Sequence, residues 1–132
     1  MEKKSKIEFL LDTDILFDHL CCDPSSGNSY LVTLIQNGLC FTTVINAAEL
    51  MMKAKNSEEE FHIKSLLSAL KVLGIHSRYS LSVNHLNEKI RGLRDSLFIV
   101  TAEINKLDIV TLDGSRYGSD KIKILHPDNL NY

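Results

Sequence analysis

IEFLLDTDIL, residues 7 to 16, decides how this chain is read. The run 7 to 11 is short and apolar on consecutive positions, which suits a strand buried on both faces of a parallel sheet. Asp12 ends it, and residues 14 to 20 (DILFDHL) read as a short helix. Working outward, DPSSGNS at 23 to 29 is a turn cluster. A helix is expected around Tyr30 to Gln36, stopped by Asn37-Gly38, with LCFTT (39 to 43) as the second strand. Thr43 can cap a helix from Val44 to Lys55, whose apolar stripe is Val44, Ala47, Ala48 and Met51.

Further along, residues 58 to 72 read as a helix, KVLGIHS (71 to 77) as a short third strand, and Val83 to Arg91 as another helix. A helix from Asp95 to Asn105 carries apolar residues on several faces and is expected to be largely buried. DIVTL (108 to 112) gives the fourth strand, Asp113-Gly114 the turn after it, and KIKIL (121 to 125) a fifth. Strands alternating with helices argue for one α/β domain over residues 1 to 132, with a mainly parallel sheet of roughly five strands.

Composition narrows the partners. Hydrophobic residues make up 44% and charged residues 24%, enough for a packed core under a solvated surface. The formal net charge is −2, so nucleic acid cannot be held here by bulk phosphate neutralisation. Any such role must be local, through a basic rim or through metal ions that reverse the sign of an acidic site. Cys21, Cys22 and Cys40 are odd in number and form no CxxC pair, which reads as reduced thiols in a cytoplasmic protein. The basic and then apolar start stops at Asp12, well short of a signal core or membrane span. Lys3, Lys4 and Lys6 read as a solvated tail, and the five histidines show no ligand spacing.

In open α/β sheets ligands bind beyond the carboxyl ends of the strands. Asp12 follows strand one and Asp113 follows strand four, so both belong on that edge. Asp95 opens the helix that feeds strand four and is drawn to the same side. Glu49 lies about 140° from the stripe centred on Val44, a position that periodicity alone would turn to solvent. Each acid has a plainer reading alone: Asp12 and Asp95 as helix caps, Asp113 as a turn residue, Glu49 as a solvated one. Together they describe a site for Mg²⁺ or Mn²⁺, which take hard oxygen ligands and can activate water against a phosphodiester. Clustered carboxylates repel, so the same argument expects Asp12→Asn or Asp95→Asn to leave metal-free stability unchanged or slightly raised.

LLDTDIL around Asp12, TTVINAAEL ending at Glu49, RDSLFIVTA from Asp95 and IVTLDGSRY around Asp113 resemble the four acidic motifs of PIN-domain ribonucleases. The size and the closing ILHPDNL look most like the VapC toxins of toxin–antitoxin pairs. The resemblance implies a three-layer α/β/α fold, one or two Mg²⁺ or Mn²⁺ ions and endonucleolytic cleavage of RNA. It also implies a homodimer, inhibited by an antitoxin protein that occupies the site. Carried over, Asp12, Glu49, Asp95 and Asp113 would be both the catalytic and the metal-binding acids, with Thr111 supporting them.

Departures from the family pattern are informative. Asp14 stands where asparagine or serine is common; it either joins the metal shell or caps the short helix, and the cap is the reading favoured. GSRYG follows Asp113 where many relatives have a second acid and an aromatic, and Tyr117 can serve as that aromatic. Arg94 and Arg116, each beside an acid, read equally well as contacts to the RNA backbone or as charges that neutralise the acidic cleft. Met51 and Met52 suit adaptable contacts in a core or an antitoxin groove.

Two rival readings belong to other classes. Asp12-Thr13-Asp14 after an apolar strand resembles the start of haloacid dehalogenase-like phosphatases, in which the first aspartate is a nucleophile; Leu16 and the short chain speak against it. The other rival is a PIN-like module that binds RNA or protein without cutting, against which stand all four acids. A role in RNA maturation would keep the same chemistry.

Overall fold

The computed structural model describes residues 7–86 and 92–130. The chain runs β1 (Glu8–Leu11), α1 (Thr13–Cys21), α2 (Tyr30–Asn37), β2 (Leu39–Thr43), α3 (Val44–Met52), α4 (Ser57–Ser68) and β3 (Lys71–Leu73). It continues through α5 (Leu93–Asn105), β4 (Asp108–Val110) and β5 (Ile124–Leu125), with a 3-10 segment over Ser77–His85. The sheet has the order β3-β2-β1-β4-β5, and every pairing is parallel. The expected α/β/α sandwich is therefore the fold observed.

The consecutive apolar residues of β1 are explained by the two layers that cover it. Phe9 and Leu11, with Val110, face a core shared with Ile15 and Leu16 of α1, Leu31 and Leu34 of α2, Leu50 of α3 and Ile63 and Leu66 of α4. Leu10 and Ile109 face the other way, onto Phe98, Ile99 and Ala102 of α5. A strand with period-two side chains and helices on both faces leaves no polar side.

Several expectations are corrected at their edges. The helix read over 58 to 72 ends at Ser68, because Lys71–Leu73 pairs with β2 as an edge strand. The strands read over 71 to 77, 108 to 112 and 121 to 125 keep only their paired residues. The helix read over 83 to 91 is not formed at its start, which belongs to the 3-10 segment; residues 87–91 lie outside the described part. The stripe of α3 is also different: Asn46 and Leu50 are its buried residues, while Val44 is exposed. Thr43 caps α3 as expected, and Asn46 closes the capping box by accepting from the Thr43 backbone N–H.

Asn37-Gly38 stops α2 as the sequence suggests, but not through a left-handed glycine. Gly38 is extended, and a Cβ there would stand 2.7 Å from the Ile7 carbonyl oxygen, the acceptor of the Leu39 N–H. Gly38→Ala is expected to cost on the order of 1–3 kcal/mol, since backbone must move at the start of the central pairing. Urea unfolding would register this as a lower midpoint; an unchanged midpoint would mean the chain yields freely there.

Candidate active site

The site lies where the strand order reverses, between β1 and β4, at their carboxyl ends. Asp12 leaves β1 there. Its backbone N–H donates to the Val110 carbonyl, and its side chain caps α1 by accepting from the Thr13 N–H. Its two oxygens have different surroundings. Oδ2 accepts from the Tyr117 hydroxyl at 2.7 Å and the Thr111 hydroxyl at 3.0 Å. Oδ1 faces the cleft, where Arg94 Nη2 donates to it at 2.7 Å. With 1% of its surface exposed, Asp12 is a buried charge that must be paired.

Glu49 arrives by a route that the apolar stripe concealed. Asn46 Oδ1 is tied to the Thr43 N–H, which aims Nδ2 at Thr13 Oγ1, 2.9 Å away. Glu49 is one turn on from Asn46 and so shares its inward side, about 60° away around the helix. Its Oε1 accepts from Thr13 Oγ1 at 2.6 Å and from Arg94 Nη2 at 2.7 Å.

Asp95 is not a helix cap. Gly92 holds that position with φ 106°, and Asp95 lies in the first turn of α5. Its Oδ1 accepts from Arg94 Nη1 at 3.1 Å and Arg116 Nη2 at 2.6 Å. Arg94 thus engages Asp12, Glu49 and Asp95 with one guanidinium, which also donates to the Tyr117 hydroxyl and stacks over the Phe98 ring at 5.2 Å. Arg94 and Arg116 both pair with these acids in the structure.

Asp113 is the acid that does not join. It is exposed, and its carboxylate accepts from Ser115 Oγ. Asp14, read first as a cap, is a neighbour of the site instead. Its Oδ2 accepts from Thr111 Oγ1 at 2.9 Å and the Leu112 N–H at 3.0 Å, while its buried Oδ1 has no partner. The Thr111 hydroxyl has one proton for two carboxylates, so it bridges Asp12 and Asp14 but can satisfy only one at a time. Thr13 and Asn46 were missed as site residues, and Tyr117 was anticipated as an aromatic but not as a donor to Asp12. A polar residue one helical turn before Glu49, and a threonine directly after Asp12, were the available signals.

The protonation behaviour follows from these contacts. Burial pushes the Asp12 carboxyl up, but the Arg94 charge and the bonds from Arg94, Tyr117 and Thr13 outweigh it and hold the group below its usual range. Glu49 is likewise raised by burial and brought down overall by its bonds from Arg94 and Thr13. Asp14 is raised, by burial first and then by the Asp12 charge.

The donor set suits a hard divalent cation in kind, since one buried and two partly exposed carboxylates already assembled around a positive charge are oxygens such an ion takes. The spacing is that of a guanidinium. Among the described residues no three acids, histidines or cysteines stand grouped as metal ligands.

Two predictions follow from the pairing. Asp12→Asn is expected to destabilise the metal-free protein by about 2 kcal/mol or more, because it weakens a buried ion pair and leaves Arg94 under-compensated. This reverses the expectation from repulsion alone; a thermal melt showing no loss would restore it. Asp14 has the opposite sign. Its folded-state pKa lies above the unfolded one, so its charge opposes folding at neutral pH and not below about pH 3.9. Asp14→Asn should therefore melt higher than wild type at pH 7 and equally at pH 3. A lower melt at pH 7 would mean that its bonds with Thr111 and Leu112 outweigh the charge.

A family model described as PIN domain matches residues 9–116. No curated protein matches the chain by sequence. Among solved structures, DNA-bound VapBC from Salmonella typhimurium superposes with a TM-score of 0.73 at 16% identity, covering 92% of this chain and 98% of that one. VapBC2 from Rickettsia felis, bound to a DNA fragment from its promoter, gives 0.70 at 20% identity over 91% and 98%. A toxin–antitoxin complex from Klebsiella pneumoniae gives 0.69 at 20% identity over 90% and 97%. At such identities the likeness establishes the fold.

Proposed function

Because the chain belongs to the PIN domain family, we propose that it is a metal-dependent endoribonuclease, the toxin of a toxin–antitoxin pair. The observation that carries this reading is the convergence of Asp12, Glu49 and Asp95 on one cation at the carboxyl edge of a parallel sheet. Their oxygens are the residues that would hold Mg²⁺ or Mn²⁺, with Asp113 on the rim as a further ligand or a water-orienting group. When bound, such an ion lowers the pKa of a water and neutralises charge that develops on a phosphodiester.

The chain's own residues supply the rest. Tyr117 and Thr111 fix Oδ2 of Asp12, so that Oδ1 alone is presented to the cleft. Thr13, held by Asn46, donates to Oε1 of Glu49 and so positions the oxygen that also meets Arg94. In such a hydrolysis water would attack phosphorus in line, giving up a proton to solvent or a carboxylate, and the ester oxygen would leave on the opposite side and take up a proton from solvent. Arg116 sits half-exposed beside Asp95 and retains N–H donors for a phosphate oxygen.

An antitoxin is the expected partner, as in the toxin–antitoxin complexes this fold resembles. A cleft of about 900 Å³, apart from the acids and lined by Phe17, Leu20, Leu50, Met52 and Ile63, offers apolar side chains to it. Met52 and Phe17 are both exposed, at 86% and 41%. The homodimer expected from the resemblance belongs to the same proposal, and so does a cytoplasmic location. Among the described residues no helix is long and apolar enough to cross a membrane.

The phosphatase reading loses its ground, since a buried Asp12 with both oxygens engaged is no exposed nucleophile. The non-cutting module keeps one favouring observation, the arginine seated among the acids. Purified protein with a structured RNA decides between them. Cleavage with Mg²⁺ or Mn²⁺, lost with chelator and in Asp12→Asn, is the expected result. Intact RNA under every condition, with folded and antitoxin-free protein, would leave the binding module.

A further inference from the structure

We propose that Arg94 is a built-in competitor for the catalytic cation, so that metal loading is an exchange in which its guanidinium leaves the three carboxylates. This rests on the metal-dependent reading above and adds to it an obligatory step made by this chain's own side chain.

The geometry is that of a stand-in cation. Nη2 lies 2.7 Å from both Asp12 Oδ1 and Glu49 Oε1 and 3.0 Å from Thr13 Oγ1. Nε is 3.1 Å from the same Glu49 oxygen, and Nη1 is 3.1 Å from Asp95 Oδ1. Asp12 Oδ2, turned away from Arg94, is held by the neutral hydroxyls of Tyr117 and Thr111, whereas Thr13 also donates to Glu49 Oε1 and Arg116 to both oxygens of Asp95. Magnesium takes its oxygens at about 2.0–2.1 Å. The cage must therefore close by about 0.6 Å at Asp12 and Glu49 and by about 1 Å at Asp95, which a guanidinium in the middle forbids. Metal and guanidinium cannot both stand between Asp12 Oδ1 and Glu49 Oε1, so occupancy of that position by one excludes the other, while Arg116 stays on Asp95.

Arg94 is also placed to move. It follows Leu93, the exposed first residue of α5, and Gly92 with φ 106° turns the chain into that helix. Its side chain is 22% exposed, against 1% for Asp12, so its way out opens to solvent without disturbing the sheet. Phe98 and Tyr117 give it a seat while it is in.

The test needs no RNA. Mn²⁺ binding to the metal-free chain, followed by the electron paramagnetic resonance of free Mn²⁺, is compared in wild type, Arg94→Ala and the double variant with Asp12→Asn. Arg94→Ala should bind Mn²⁺ about tenfold more tightly or better, since each charge-assisted hydrogen bond to be displaced is worth about a factor of ten. The double variant should lose that gain. Equal or weaker binding by Arg94→Ala would overturn the exchange and leave the metal reading standing. No binding by either folded protein would overturn both. Should Arg94→Ala fail to fold, the wild type suffices. Its Arg94 Nε–H resonance, held by Glu49, should lose its exchange protection as Mg²⁺ saturates the protein. A resonance unchanged at saturation would overturn the exchange equally.

Discussion

Carboxylates do not gather at one edge of a sheet unless something positive holds them. Two unit charges about 4 Å apart interact by about 4 kcal/mol at the effective dielectric of a partly buried site. Asp12, Glu49 and Asp95 would each press against the others, and burial of Asp12 would add to the cost. Arg94 removes this opposition by donating to all three. The surrounding structure serves that contact. The reversal of strand order opens the crevice, Asp12 caps α1 from within it, the Thr43–Asn46 box points α3 at Thr13, and Gly92 turns α5 so that its first residues reach the acids.

The part of this that the sequence announces is the part set by hydropathy and topology. β1 reads as a doubly covered strand because Phe9 and Leu11 on one face and Leu10 on the other all need apolar neighbours. Once a parallel sheet is inferred, Asp12 and Asp113 follow onto its carboxyl edge, whereas Thr111 enters only with the family resemblance. Edge strands are less legible. Lys71–Leu73 and Ile124–Leu125 each pair on one side only, so their length is set by the partner rather than by their own residues. The same holds for residues 77–85, where apolar and polar residues are spaced as in a helix but the backbone takes a tighter turn.

Within the site, hydropathy misleads where a polar residue is the buried one. Apolar spacing centres the face of α3 on Val44, yet Val44 is exposed and Asn46 is fully covered. Asn46 is inward because its amide satisfies the Thr43 N–H on one side and Thr13 on the other, a gain that no periodicity in apolar residues records. Recentring the helix on Asn46 and Leu50 moves Glu49 from solvent to the cleft. Tyr117 is hidden similarly: its ring packs on Phe98 in the core, and only its hydroxyl reaches Asp12. Asp113 errs in the other direction, since its place after β4 puts it at the correct edge while its own local bond to Ser115 turns the carboxylate aside.

The opposed demands of folding and chemistry meet in these few residues. A buried carboxylate held by Arg94 and by hydroxyls is stable, and a carboxylate with an oxygen free for a metal is not. The structure divides the task between the two oxygens of Asp12. Tyr117 secures Oδ2, with Thr111 beside it when its proton is not turned to Asp14, and neither carries a charge that a cation would have to displace. The replaceable positive partner sits on Oδ1 alone. Exchanging that one partner leaves the capping of α1, the pairing of β1 with β4 and the packing of Tyr117 in place. On the proposed exchange, the fold would pass between metal-free and metal-loaded arrangements without rebuilding its core, and the cost of passing between them would fall on a side chain at the cleft's mouth.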